Sequence, residues 1–175
     1  MSYEMNDAIN LLRSFSRHRD FVRLALHRVA DALAERAIVH DASKLLDDEF
    51  NGFSRINHAA RVNKFGSPGY AEGMRRERDV LDLHFSRNRH HPEHAAVGPD
   101  GKGLQGSRIP RPHCEMSFLD VIEMVCDWWG AAQGYDDPRS WSDSAKLNLA
   151  HKGKYLTPTQ RWLAEQVIAF LGEPR

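Results

Sequence analysis

The chain is poor in several features, and each shortage excludes something. It has two cysteines, Cys114 and Cys126, in 175 residues. They are isolated, with no Cys-x-x-Cys pair, so neither a disulfide framework nor a cysteine-ligated structural zinc is expected. A reduced, cytoplasmic setting is the default. No run approaches the ~18 apolar residues of a membrane span. The opening Met1-Ser2-Tyr3-Glu4-Met5-Asn6-Asp7 lacks the basic-then-apolar pattern of a signal peptide. No membrane association is therefore expected. Charge of one sign is also lacking: 24 basic and 24 acidic residues cancel. That argues against direct DNA binding, which needs a basic excess, but leaves room for a local pocket for a small anion. No convincing strand, internal repeat or low-complexity tract appears.

What is present is the pattern of a helical globular protein. Apolar residues make up 41% and charged residues 27%, and the length suits one all-α domain over residues 1–175. Ile9, Leu11, Leu12 and Phe15 predict a helix over 7–16, and Val22 to Leu33 a stronger one over 21–36, capped by Asp20. A short helix over 37–46 follows, then one from Asp47 or Asp48 with Phe50, Phe53, Ile56 and Ala60 inward. Gly66-Ser67-Pro68-Gly69 is a turn, and residues 70–87 read as a helix that Pro92 keeps from continuing. Residues 95–113, with four glycines and three prolines, read as a long loop. Helices over 117–132, 140–151 and 158–171 close the chain, with Asp136-Asp137-Pro138 as a linker.

Ten histidines are many for this length, and histidine is the commonest metal ligand. The centre of interest is His40-Asp41 in the run Ile38-Val39-His40-Asp41-Ala42-Ser43-Lys44-Leu45-Leu46. A carboxylate in an apolar run needs a partner, and a divalent cation satisfies both side chains. The bland alternative is a helix-surface pair, which the flanking apolar residues oppose. His27 sits among apolar helical positions, either as a hydrogen-bonded core histidine or as a ligand. Asp120, Glu123 and Asp127 share one helix face. Asp127, between Cys126 and Trp128, is the most enclosed of them by sequence, and its alternative role is a salt bridge. His84 lies on the apolar side of its helix. His90, His91 and His94 crowd a helix end, either as a metal- or phosphate-binding wall or as solvent-facing imidazoles.

Two imidazoles and two carboxylates suit zinc, cobalt, manganese or iron better than calcium. A cation so held lowers the pKa of water near neutral pH. Lys44, one turn after His40, projects toward the same place and suits phosphate. Glu49 is a candidate to orient or deprotonate water. Phe21 is a candidate to stack on a base.

The order His27, His40-Asp41 and a late helical Asp127 resembles the HD superfamily of metal-dependent phosphohydrolases. A closer resemblance is to a small phage and bacterial group with an HDxSK motif (residues 40–44), an N-x-HHPEH-like segment (88–94) and an EMxCDW helix (123–128). The resemblance implies metal ligation by His27, His40, Asp41 and Asp127, and phosphate neutralisation by Lys44, His84 and Arg19, with His90 and His91 along the phosphates. Related deoxynucleotidases carry glutamate where Lys44 stands, which leaves Glu49 as the candidate base. The resemblance further implies hydrolysis of a deoxynucleotide 5′-phosphate ester, dATP to deoxyadenosine and triphosphate, in a phage-infected cytoplasm. It implies magnesium-like ions on the triphosphate and a homo-oligomer, a hexamer. The alternatives are a 5′-deoxynucleotidase, a cyclic-nucleotide or alarmone phosphodiesterase, and a metal-containing nucleotide-binding protein without turnover.

Overall fold

The computed structural model describes residues 2–64, 66–95, 116–134 and 139–173. The loop expected over 95–113 lies outside the described residues apart from Ala95, as do Cys114 and the Asp136-Asp137-Pro138 linker. Every regular element among the described residues is helical, so the fold is all-α as expected. The chain groups into two units, Met1–Val39 and His40–Arg175, where the sequence suggested one domain.

The first unit is one helix, α1 (Ser2–Val39). It replaces the two helices expected over 7–16 and 21–36. No glycine or proline lies between them, so nothing interrupts the ladder of backbone hydrogen bonds. Its apolar side chains are exposed, Leu12 and Leu26 at 65% and 67%. A single helix has no second layer within its own unit to cover them.

The second unit opens with a turn rather than the short helix expected over 37–46. Asp41 takes a left-handed backbone, φ 54 and ψ 15, which aspartate tolerates better than most residues. A 3-10 turn, Ala42–Leu45, follows. Then comes α2 (Asp47–Val62), with three carboxylates in its first turn that favour the positive end of the helix dipole. Gly66, at φ 76, turns the chain toward α3 (Pro68–Arg76), which Ser67 caps and Pro68 opens. The helix expected over 70–87 is broken at Glu77, whose backbone leaves the helical region before α4 (Arg78–Arg87). Arg55 holds that glutamate by two hydrogen bonds, at 2.6 and 2.8 Å. After the short α5 (Pro92–Ala95) come α6 (Phe118–Gly134), α7 (Trp141–Lys152) and α8 (Pro158–Gly172).

The hydrophobic core lies along α6. Val121, Met124, Val125 and Trp128 pack with Met116 and Ala164, flanked by Trp141, Leu149, Leu163, Val167 and Ile168 from α7 and α8. Trp141 donates its indole N–H to the Ile168 carbonyl at 3.2 Å. α8 is started by a reciprocal cap between Thr157 and Gln160, an arrangement that satisfies two otherwise orphaned backbone donors. Trp128 is thus a core residue, whereas Trp129 and Trp162 remain exposed.

On α2 the buried face differs by one position from the expected one. Phe50 is 51% exposed, while Glu49 and Gly52 are buried. The apolar residue loses the inward position because Glu49 finds charged and hydrogen-bonding partners inside. Gly52 is where α2 meets α4: a Cβ there would lie 2.5 Å from Val80 Cγ2. Gly52→Ala is expected to destabilise the chain by about 1–3 kcal/mol, the usual cost of overpacking. Urea unfolding checks this. Adding Val80→Ala should recover part of the loss, and a double variant no better than the single one would place the cost elsewhere.

Candidate metal centre

Three segments supply the site: the His40-Asp41 turn, the α4 end with its following loop, and α6. His40 sits between two carboxylates of α6. Its Nδ1 is 3.0 Å from Glu123 Oε1, and its Nε2 is 3.3 Å from Asp127 Oδ1. Glu123 and Asp127 are four residues apart, so one face of α6 presents both. The left-handed turn at Asp41 aims its carboxylate at three imidazoles. His84 Nε2 lies 3.1 Å from Asp41 Oδ1, His90 Nε2 3.4 Å and His91 Nε2 4.0 Å. Lys44 pairs with the other oxygen, Oδ2.

The electrostatics follow from this crowding. Hydrogen bonding to Asp127 and Glu123 raises the His40 pKa to about 10, against the opposing effect of burial. Burial disfavours the Asp41 charge, but His84, His90 and Lys44 outweigh it and hold the carboxyl well below the usual range. Burial likewise opposes the charge on His90, and Asp41 and Glu123 overcome it, so its pKa is raised. His91 goes the other way: burial, reinforced by His90 and His84, pushes its pKa well below the ordinary value.

Two sets of side chains bring their ligand atoms within 4.8 Å of one another: His40, His90 and Asp127, and Asp41, His90 and His91. The residues fit a cation on a second ground. Asp41 Oδ1 and His90 Nε2 are both buried and without an aligned hydrogen-bond partner, although they lie only 3.4 Å apart. Buried polar atoms are rarely left so. Four donors around a cation at about 2.1 Å stand roughly 3.4 Å from one another, close to the 3.3 Å from His40 Nε2 to Asp127 Oδ1 and the 3.4 Å from His90 Nε2 to Asp41 Oδ1. Imidazole with carboxylate suits zinc, cobalt or manganese.

The expected residues are distributed as follows. His40, Asp41, His84, His90, His91 and Asp127 come together, and Lys44 joins them through Asp41. His27, Arg19 and Phe21 lie on α1 in the other unit, all exposed. Arg17 stands over the Phe21 ring at 5.9 Å. Both cation-competent sets consist of second-unit residues, and in one of them His90 joins His40 and Asp127. Glu49 is wholly buried and its carboxylate engaged, accepting from Arg87, Ser43 and His84. Asp127 is not the most enclosed acid of α6: that is Asp120, fully buried against Ser117 and Arg89. Glu123, which the sequence placed on the same helix face as Asp127, supports His40 through Nδ1 at 3.0 Å and belongs to neither cation-competent set.

A family model described as a family of unknown function, DUF5662, matches residues 8–173. The chain belongs to the DUF5662 family. The match spans every residue of the cluster. No curated protein and no solved structure matches the chain.

In this DUF5662 protein the raised His40 pKa has a sign that is checkable without metal. A folded-state value above the unfolded one, 6.5 rising to about 10, contributes stability that is complete below pH 6.5 and is lost as pH rises through about 10. In chelator-treated protein, the stability gap between wild type and His40→Gln should therefore be widest near pH 6 and shrink toward pH 10. Urea midpoints at several pH values measure it, and a gap that widens with pH would contradict the ion-pair geometry.

Proposed function

We propose that this DUF5662 member is a metal-dependent phosphohydrolase of the HD type that cleaves a deoxynucleotide 5′-phosphate ester. The observation that carries the reading is a pair of ligand sets that share His90, one with His40 and Asp127 and one with Asp41 and His91, with two buried ligand atoms lacking aligned hydrogen bonds. Residues of these two sets would hold the ion, and His27, which the sequence pattern suggested as a ligand, belongs to the other unit. A divalent cation there supplies Lewis-acid polarisation and acidifies water at the site.

The chain's own residues do the rest. Lys44 holds Asp41 Oδ2 and so orients the carboxylate. Its charge, beside the Phe53 ring at 4.9 Å, also favours an incoming phosphate. His91, kept neutral and partly exposed, is able to accept a proton at the rim of the cluster. Glu49, with no accessible surface, supports His84 from behind instead of meeting water, which moves the base role assigned to it from sequence onto an imidazole. The HDxSK, N-x-HHPEH and EMxCDW motifs support the phosphohydrolase class, and the whole-chain resemblance supports dATP as substrate, with deoxyadenosine and triphosphate as products, magnesium-like ions on the triphosphate, and a hexameric assembly.

The test is incubation with each deoxynucleoside triphosphate and cobalt, zinc or magnesium, with chromatography of the products. Deoxyadenosine from dATP is expected, and Asp127→Asn or His40→Asn should reduce its rate by ~100-fold or more, beyond the usual effect of outer-shell changes. Intact dATP retained in stoichiometric amount would replace the enzyme with a binding protein, and turnover of a cyclic or bridging diester alone would replace the substrate. A second expectation concerns the ion itself. The proton that His40 Nε2 directs at Asp127 must leave when a cation binds that nitrogen, while Nδ1–H stays on Glu123, so zinc affinity should rise with pH between about 6 and 9. Calorimetry in buffers of different ionisation enthalpy counts the released proton.

A further inference from the structure

Glu49 is the most thoroughly buried carboxylate beside the cluster, and no step above uses its charge. Every hydrogen around it has an assignable place. Arg87 Nη1 donates to Oε1 at 2.8 Å. Ser43 Oγ donates its one hydrogen to Oε2 at 2.9 Å rather than to His84 Nδ1 at 3.2 Å, and His84 Nδ1 lies 2.9 Å from the same oxygen. Asn88 Nδ2 is 3.0 Å from His84 Nδ1, but its two hydrogens are already given, one to Ser43 Oγ at 2.8 Å and one to the His84 carbonyl at 2.9 Å. A carboxylate accepts and never donates when ionised. The proton between Glu49 and His84 therefore resides on His84 Nδ1. The Phe53 ring, edge-on to the imidazole at 4.8 Å, helps to fix the ring plane.

The opposite nitrogen faces the cluster. His84 Nε2 is 3.1 Å from Asp41 Oδ1 and 3.0 Å from His91 Nε2. We infer that Glu49 is a positioning residue which keeps a proton on His84 Nδ1 and thereby leaves Nε2, which faces Asp41 and His91, as the nitrogen that gives up its proton to become a further cation ligand. A metal-bound histidine backed by a carboxylate is a general arrangement that fixes tautomer and orientation. Here the backing carboxylate is itself anchored by Arg87, so it cannot turn away. Arg87 in turn is held by Asp48, at 2.5 and 2.8 Å.

Glu49→Gln reverses the tautomer by a forced choice. Arg87 only donates, so the amide oxygen of the glutamine must face it. The amide NH2 then faces His84 Nδ1 and donates to it. Nδ1 becomes the acceptor, and the proton moves to Nε2, where it blocks coordination.

Long-range proton–nitrogen spectra of the metal-free full chain, at about pH 9 and above the ordinary imidazole range, read the tautomer directly. His84 should carry its proton on Nδ1 in the wild type and on Nε2 in Glu49→Gln. On addition of zinc alone, the wild-type Nε2 resonance should shift, and Glu49→Gln should bind zinc about 10- to 100-fold more weakly. Glu49→Asp, which keeps a carboxylate, should recover part of that loss. A proton on Nε2 of the wild type overturns the inference, and so does a Glu49→Gln chain that keeps Nδ1–H. Should the glutamine variant not fold, the wild-type spectrum alone decides. The zinc measurements rest on the reading of the cluster as a cation site, and the tautomer measurement does not. If zinc fails to bind a wild type with the expected tautomer, the proposed function falls and Glu49 remains the residue that positions His84.

Discussion

One carboxylate, that of Asp41, constrains everything around it. A carboxylate taken out of water is costly unless charges and hydrogen bonds replace the lost hydration. Asp41 meets that demand in part, with Lys44 on one oxygen, while the imidazoles within 4.0 Å of the other oxygen are not aligned to hydrogen-bond it. Its left-handed backbone is a local cost that persists only because these contacts hold it. Unusual backbone next to a crowd of titratable groups is the pattern of a site built for chemistry rather than for packing.

The helices can be understood as ways of delivering partners to that oxygen. α4 brings His84 from one side and ends at Asn88, whose side chain closes the helix by donating to the His84 carbonyl. The residues after it, His90 and His91, then reach the same point from outside regular structure. α6 supplies Glu123 and Asp127 from its polar face while its other face forms the core with α7 and α8. Through α6 the apolar core and the charged cluster share one rigid element, which is how a donor set is held to a few tenths of an ångström. α2 contributes no ligand. It contributes Glu49, buried at the cost of exposing Phe50.

The cluster also has layers. Behind His84 stands Glu49, behind Glu49 stands Arg87, and behind Arg87 stands Asp48 at the surface. Such a chain carries charge compensation outward from a buried centre to solvent, and each link fixes the orientation of the one before it. Arg89 performs a similar service for Asp120 at the start of α6. A sequence rich in histidine and balanced in charge is thus used twice over, once to face a common point and once to hold the facing groups still.

The all-helical class and the choice of His40-Asp41, His84 and Asp127 as candidate ligands were legible in the chain itself, because helical periodicity and adjacent ligand-type residues in an apolar run are local signals, whereas Asp20, read as a cap, lies inside α1. The continuity of α1 was legible in principle, through the absence of any breaker, but two amphipathic stretches suggested two helices. What only the tertiary structure decided is that His90 and Glu123 lie beside the His40–Asp127 pair, and that Glu49 is enclosed while Phe50 is not. These are matters of distance between segments some 35 to 90 residues apart. Local pattern reports which side chains are able to bind a cation. Convergence depends on a left-handed turn and on helix packing, and no spacing along a single segment encodes either.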